Sequence, residues 1–554
     1  MENGNKRKAD PVESHAGGNA NHKKKKKKKS QKVPVSVSAK APQPIQKQEK
    51  KKKTSIDELS KRMFIVPNSI DVDHQEKENF GIIKTDFSKW LNYRNGKEII
   101  EDEDLFDSNA RSNQVFAWLI APLSVEEFYE KYWEKKPLLI KRNKPNYYDG
   151  WFSKDEMDQL FKSTHIEYGK HVDVTLYENG QRRTLNPKGR ATAKDIWNFF
   201  AKGCSVRMLH PQQYSASVSK ILSVLEDFWE CGGGCNSYLT PAGYQGFAPH
   251  YDDVEAFVVQ TEGAKHWKLY SPLTPQETLP RTSSENFTQK EIGKPILETD
   301  LEMGDLLYFP RGFIHQAVSL PTCHSLHLTL STGLQHSWAD FLEIALPRAV
   351  QLAFDENEDF RQSLPRDFFR HIGVMHSDSP NEKRREYLTK VMELLDKAID
   401  TIPIDASADA MALGFLESRL PPIINPSSSI ILGYDTEKRE VINEDAEIKG
   451  TTYVTMVNAT AARLTVEGDV AALYTPVRNK AALHANRDES EMTESDIVLE
   501  FSLEETSAVE HMVTAYPVPF RVSSIPLEKE NDKIQFARRL FHHGILMIRT
   551  DVEE

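Results

Sequence analysis

The stretch GFAPHYDDVEAFVVQTEGAKHWKLY, from Gly246 to Tyr270, sets His250 and Asp252 two residues apart. In a strand, side chains at i and i+2 project to one face, so both reach a single ion. A lone His-x-Asp pair is common in chains that bind no metal, and three further features single this one out. The first is GDLLYFPRGFIHQA, which reads as a turn, a strand, a Pro-Arg-Gly turn and a second strand carrying His315. Strands joined in that way return His315 to the mouth of a barrel. Two imidazoles and one carboxylate form a facial set that suits iron(II), leaves positions open and needs no thiolate.

The second feature is Lys265, placed past Thr261-Glu262-Gly263, which reads as a turn. Alternation in KHWKLY puts Lys265, Trp267 and Leu269 on one face and Lys268 on the other. A lysine inside an apolar barrel is costly unless an anion meets it, and a carboxylate cosubstrate supplies one. The competing reading is a surface lysine on an edge strand. The third feature is HLTLST, where His327, Thr329 and Ser331 share a face whose hydroxyls can orient a cosubstrate. Alone it says little, since threonine is an ordinary strand residue.

The elements that position these residues are legible in outline. SVEEFYEKYW starts a helix on Ser124, with acids in the first turn. From Tyr168 the pattern becomes short and β-like, with a hairpin signal at Asn179-Gly180. Strands with frequent turns continue to about Leu334 and predict an antiparallel sandwich or barrel. Helical patterns follow in WADFLEIALPRAVQLAF, EKRREYLTKVMELLDKAI and SADAMALGFLESRLPP. Residues 430–554 mix short helices and strands, as in a small α+β domain such as a winged helix.

The whole chain, 554 residues, is too long for one core and predicts two to four domains. The apolar runs fall short of a membrane span, so no membrane association is expected. Four cysteines, two of them in CGGGC at Cys231 and Cys235, lack the second pair that a structural zinc site needs. The net charge of −11 conceals a split: residues 1–56 hold 17 Lys/Arg against 4 Asp/Glu, and the rest hold 54 against 78. The first 55 residues, with seven consecutive lysines at 23–29, read as a disordered basic tail for nuclear or nucleolar targeting, able to touch RNA. Residues 430–554 hold 13 Lys/Arg against 23 Asp/Glu, which argues for protein contacts there rather than duplex binding.

Together the HYD motif, Lys265 and PRGFIH resemble the JmjC-type 2-oxoglutarate oxygenases. NSYLTPAGYQGFAPHYDDVEAFVVQTEGAKHWKLY is similar to the ribosomal oxygenases among them, the nucleolar histidyl hydroxylases. The resemblance covers about Phe106 to Glu554 and includes SRLPP. It implies a mostly β fold: a double-stranded β-helix over 106–337, a helical dimerisation region over 338–429 and a C-terminal winged helix over 430–554. Residues 56–105 are then a partly structured linker. The resemblance implies His250, Asp252 and His315 as Fe(II) ligands and Lys265 as partner of the distal 2-oxoglutarate carboxylate. Tyr238 and Ser331 match positions lining the cosubstrate pocket, while Arg207 and Asn286 match positions that contact the protein substrate.

The activity implied is O2-dependent oxidation of a protein C–H bond, with 2-oxoglutarate decarboxylated to succinate. The implied substrate is a histidine of a large-subunit ribosomal protein, and a basic substrate suits the acidic folded part. Histone methyl-lysine demethylation, with a repressor's role at chromatin, is the second reading. A non-catalytic chromatin adaptor leaves an intact triad and Lys265 without a purpose, and a cupin isomerase leaves Lys265 unexplained. Ala408, Met411, Ala412 and Phe415 form one helical stripe, which serves a homodimer or packs on the chain's own barrel.

Overall fold

The computed structural model describes residues 73–87, 94–378, 381–467, 470–484 and 498–552. The basic tail therefore lies outside the described residues.

Twelve strands make one large sheet. They are β1 (Asp73–Glu76), β2 (Gly81–Lys84), β3 (Leu138–Lys141), β4 (Val172–Glu178), β5 (Gln181–Thr184) and β6 (Ser205–Leu209). The others are β7 (Gly234–Thr240), β8 (Glu255–Tyr270), β9 (Leu297–Glu302), β10 (Leu306–Phe309), β11 (Ile314–Ser319) and β12 (Ser325–Thr332). The order is β1-β2-β3-β10-β8-β12-β7-β6-β4-β5, with β9 and β11 pairing β8. β2 lies parallel to β3, in the same sheet as the site strands. Strands of this sheet therefore begin before residue 106, inside the segment read as a partly structured linker. Ile83 and the neighbouring Phe87 are buried in the main core, so the segment taken for a linker supplies strands and core residues.

β8 also corrects the reading of Thr261-Glu262-Gly263 as a turn. The strand runs unbroken through it, its first half between β10 and β12, its second between β9 and β11. One strand thus serves both walls. Before Gly263, Ala256 and Val258 face the inner core, while Phe257 and Val259 face the helices. After it, the inward residues are Trp267 and Leu269. The parity changes because the register with β12 slips between Leu326 and His327, a bulge that skips one residue of β8. That slip puts Lys265 on the inner face. Gly263 has φ +61, and a Cβ there would lie 1.8 Å from the His324 carbonyl oxygen. Gly263→Ala should therefore cost more than the ~1 kcal/mol of a conformational penalty alone, and thermal unfolding should show it as a clear drop in Tm.

The helices fix the outer wall. Helix α1 (Val125–Lys131) is capped by Ser124, which accepts from the Glu127 amide. It buries Phe128 against Phe116, Phe257 and Tyr308. Helix α2 (Ala216–Trp229) ends at Glu230 in the left-handed conformation. The Asn179-Gly180 hairpin forms as expected, both residues at positive φ, pairing Glu178 with Gln181.

Beyond the sheet come α3 (Trp338–Glu356), α4 (Glu382–Ile399) and α5 (Ile404–Ser418). The stripe on α5 is half-buried within the chain, because α5 is wedged between α3 and the strand Arg463–Glu467. The free apolar surface lies instead on α3 and α4. Trp338 is 82% exposed, and Leu388, Met392, Leu395 and Ile399 form an exposed stripe at helical spacing along α4.

The C-terminal part has its own core and, among the described residues, two antiparallel sheets besides the short ribbon Tyr434–Asp435 with Glu440–Val441. Strands 430–432, 546–549, 453–456 and 520–521 form one; 463–467, 470–474 and 498–502 form the other. A buried polar seam joins this part to α2. Glu226 accepts from the Leu420 and Gly233 amides and meets His484 Nε2 at 2.9 Å. Asp227 meets Arg419 at 2.8 Å and accepts from Asn458. SRLPP is thus the buried splice between domains, where losing one partner of such a pair costs about 3–5 kcal/mol.

Candidate active site

The residues before β8 and at the start of β11 are held by a two-residue backbone bridge: His250 and His315 exchange amide-to-carbonyl hydrogen bonds of 3.3 and 2.8 Å. The Pro310-Arg311-Gly312 turn closes on the same place, as the Gly312 amide donates to the Asp252 carbonyl. Glu255, fully buried, fixes this turn by accepting from Arg311 at 3.0 Å and from the Tyr308 hydroxyl. Burial pushes the Glu255 carboxyl up to about 7, against the opposing pull of Tyr308 and Arg311.

The result is a compact donor set. His250 Nε2 lies 3.8 Å from one Asp252 oxygen and His315 Nε2 lies 3.7 Å from the other. One ligand atom from each of the three residues falls within 4.8 Å of the others. His250 Nδ1 faces the Ala248 carbonyl at 2.8 Å and His315 Nδ1 faces that of Phe313 at 3.2 Å. A carbonyl only accepts, so both Nδ1 atoms carry the proton and both Nε2 lone pairs point into the set. Burial, followed by the charge of His250, holds the His315 imidazolium down at about 4. The histidine is therefore neutral and ready to ligate. The donor set fits iron(II).

Lys265 is buried, and burial brings its ammonium down to about 7. Its Nζ donates to Thr240 Oγ1 at 3.2 Å, and Thr240 Oγ1 also accepts from Ser205. A panel of rings borders both Lys265 and the triad, since the Trp267 ring lies 6.0 Å from Lys265 Nζ and 6.2 Å from the His315 ring. Tyr238 stacks on His327 at 4.9 Å and 8°, and His327 meets Trp267 edge-on at 5.4 Å. His327 Nδ1 and Asn236 Oδ1 are buried with no hydrogen-bond partner among the described residues. Unmet polar atoms on strands that flank a buried cation and a metal set fit an elongated polar ligand with a carboxylate at each end.

Most of the expected residues meet here. Ser331 sits on the far end of β12, opposite Ala256 and against Gly234. Arg207 pairs with Tyr238 across β6 and β7 and is ion-paired with Asp173. Asn286 is exposed, on a loop tied to the site by Phe287 N–H to the Pro249 carbonyl and by Ser284 to Tyr251. Thr240 and Asn236 were missing from the expected site, and His327 was expected only as a face-mate of Thr329 and Ser331. The alternation Asn236, Tyr238, Thr240 along β7 was the signal that would have found the first two. All four cysteines are free, and Cys231 bonds to Thr332.

Comparison with known proteins decides the family. Residues 207–341 match the model of the JmjC domain, and residues 420–551 match that of the ribosomal oxygenase 1 C-terminal winged helix domain. The chain is 43% identical to ribosomal oxygenase 1 of Gallus gallus, over 80% of this chain and 73% of that one. The chain belongs to the ribosomal oxygenase 1 family. It is a JmjC oxygenase, with a cupin-type β core, a helical region and a winged helix. It is also 42% identical to the bifunctional lysine-specific demethylase and histidyl-hydroxylase NO66 of Dictyostelium discoideum, over 80% of this chain and 84% of that one. Among solved structures, the ribosomal oxygenase YcfD of Escherichia coli covers 77% of this chain and 98% of its own, at 14% identity and a TM-score of 0.42.

Proposed function

We propose that this family member uses Fe(II), 2-oxoglutarate and O2 to hydroxylate a histidine of a large-subunit ribosomal protein. The observation that carries the reading is the pairing of a His250–Asp252–His315 set, its Nε2 atoms turned inward, with a buried lysine. When bound, iron and 2-oxoglutarate supply the oxidation of the C–H bond. The chain supplies placement. His250, Asp252 and His315 hold the metal on one face, and Lys265 takes the distal carboxylate. Tyr238, His327 and Trp267 shield the space between, and the substrate side chain enters over Arg207 and Asn286. Specificity then rests on which C–H bond is held nearest the metal.

Relatives named as bifunctional demethylases and histidyl-hydroxylases favour a second reading, methyl-lysine removal from a histone tail by the same centre. Mass spectrometry of ribosomal proteins and histones after incubation with the protein, Fe(II) and 2-oxoglutarate separates the two. A gain of one oxygen on histidine supports the first reading and loss of methyl from lysine the second; neither change on any protein rejects both.

A homodimer is proposed, and the exposed stripe on α4 supports it. A two-fold contact through α4 brings one apolar patch onto itself. Met392→Asp, on a residue 57% exposed in the single chain, should yield monomers by sedimentation with little change in Tm. A monomer in the unmodified protein at micromolar concentration rejects the homodimer. The lysine-rich tail is proposed as the nucleolar address and the RNA contact. Deleting residues 1–55 should disperse the protein from the nucleolus and leave turnover of a short peptide unchanged, as imaging and a peptide assay would show.

A further inference from the structure

Arg182 has no part in the reading above, yet it reaches the mouth of the site. It lies on β5, past the Asn179-Gly180 hairpin, and pairs with Tyr177. The hairpin is tied to the segment that leads into His250, since the Tyr177 amide donates to the Gln245 carbonyl and Gln245 Nε2 to the Phe247 carbonyl. Phe247 is the ring at the centre of this corner. It meets Tyr238 edge-on at 5.4 Å and lies 6.3 Å from the His250 ring. The Arg182 guanidinium sits over it at 4.3 Å and that of Arg207 at 5.4 Å.

Two guanidiniums thus flank one ring. Asp173 is the carboxylate between them, and it is committed to Arg207 and to Asn186. The Nε atoms of both arginines are buried with no hydrogen-bond partner among the described residues. A ring face attracts a cation but satisfies none of its N–H donors. Each arginine as a whole is only half-buried, so N–H donors that neither the ring nor Asp173 satisfies are open to acceptors carried by a ligand.

We propose that Arg182 is a substrate-positioning residue, which with Arg207 and Phe247 forms a clamp for the main chain beside the side chain being oxidised. The class of ligand is an extended peptide, and the atoms recognised are its backbone carbonyl oxygens. A peptide that sends one side chain past Tyr238 toward the metal lays its flanking carbonyls across this rim, where each needs a donor. Lysine keeps the charge over Phe247 but lacks the guanidinium's planar set of donors. The lysine variant therefore separates the clamp from simple ring packing.

The inference rests on the protein-oxygenase reading. Its test uses the full chain with Fe(II) and 2-oxoglutarate, and as probes histidine peptides from large-subunit ribosomal proteins and a trimethyl-lysine histone peptide. For the peptide that the unmodified protein turns over, Arg182→Ala and Arg182→Lys should each raise the peptide KM at least tenfold. The 2-oxoglutarate KM and the slow turnover of 2-oxoglutarate without peptide should stay within twofold. Recovery of the peptide KM by Arg182→Lys, or a parallel loss of both activities, makes Arg182 a packing residue and overturns the clamp. If the unmodified protein modifies no peptide, the proposed function fails and takes the clamp with it.

Discussion

Replacing Lys265 by methionine should make the protein more stable and leave it unable to use 2-oxoglutarate efficiently. Burial holds the Lys265 ammonium at about 7, below the ordinary lysine value of 10.5. A lysine depressed in this way opposes folding. The cost is fully present below pH 7, shrinks as the pH rises from 7 toward 10.5, and is gone above that. Each pH unit of that window is worth about 1.4 kcal/mol. Methionine fills a similar volume without charge, so the gain in Tm should be largest near pH 6 and close as the pH approaches 10. Removing one partner of a buried charged contact weakens binding by about 2–5 kcal/mol, so the 2-oxoglutarate KM should rise by about 30-fold or more. Metal affinity should scarcely move, because Lys265 is no part of the triad. A variant that loses iron and cosubstrate together, or melts lower than the unmodified protein at pH 6, contradicts this role.

Asp252→Ala should abolish 2-oxoglutarate turnover with the fold intact. Groups that merely orient a metal ligand are worth about 10- to 100-fold when removed, so loss of a ligand itself should exceed 100-fold. Stability should change little. Asp252 is half-buried, and its side chain faces the His250 and His315 imidazoles rather than a structural partner. Its backbone carbonyl, which receives the Gly312 amide, survives the substitution. Circular dichroism and a succinate assay on the same sample check both halves. Full turnover in the variant with no added ligand rejects the triad.

Much of this site could be read from the chain before its shape was seen, for a definite reason. His250 and Asp252 are neighbours in sequence, and His315 is linked to them by a strand and a turn whose residues, Pro310 to Gly312, announce themselves. Lys265 was placed on the correct face for an incomplete reason. Local alternation gave its side of the strand, but a glycine at positive φ was taken for a turn when it marks a bulge in a strand that continues. A bulge depends on register with β12, which is distant in sequence and invisible to local pattern. The same limit hid β1 and β2, four-residue segments that become strands because β2 pairs parallel to β3 and β1 antiparallel to β2. It also hid the sharing of apolar surface among the helices. Periodicity finds a stripe on α5 and another on α4 but cannot say which one the fold covers.

The central claim is that a cosubstrate bridges the His250–Asp252–His315 set and Lys265. Calorimetric titration of 2-oxoglutarate into the full-length protein, with and without Fe(II) under anaerobic conditions, tests it most directly when run at pH 6.5 and pH 8.5. Binding should require the metal, take up protons at pH 8.5, and be about tenfold or more weaker there, since only a small fraction of Lys265 is then charged before the ligand arrives. Binding equally tight with no metal, or unchanged between the two pH values with no proton uptake, would contradict it.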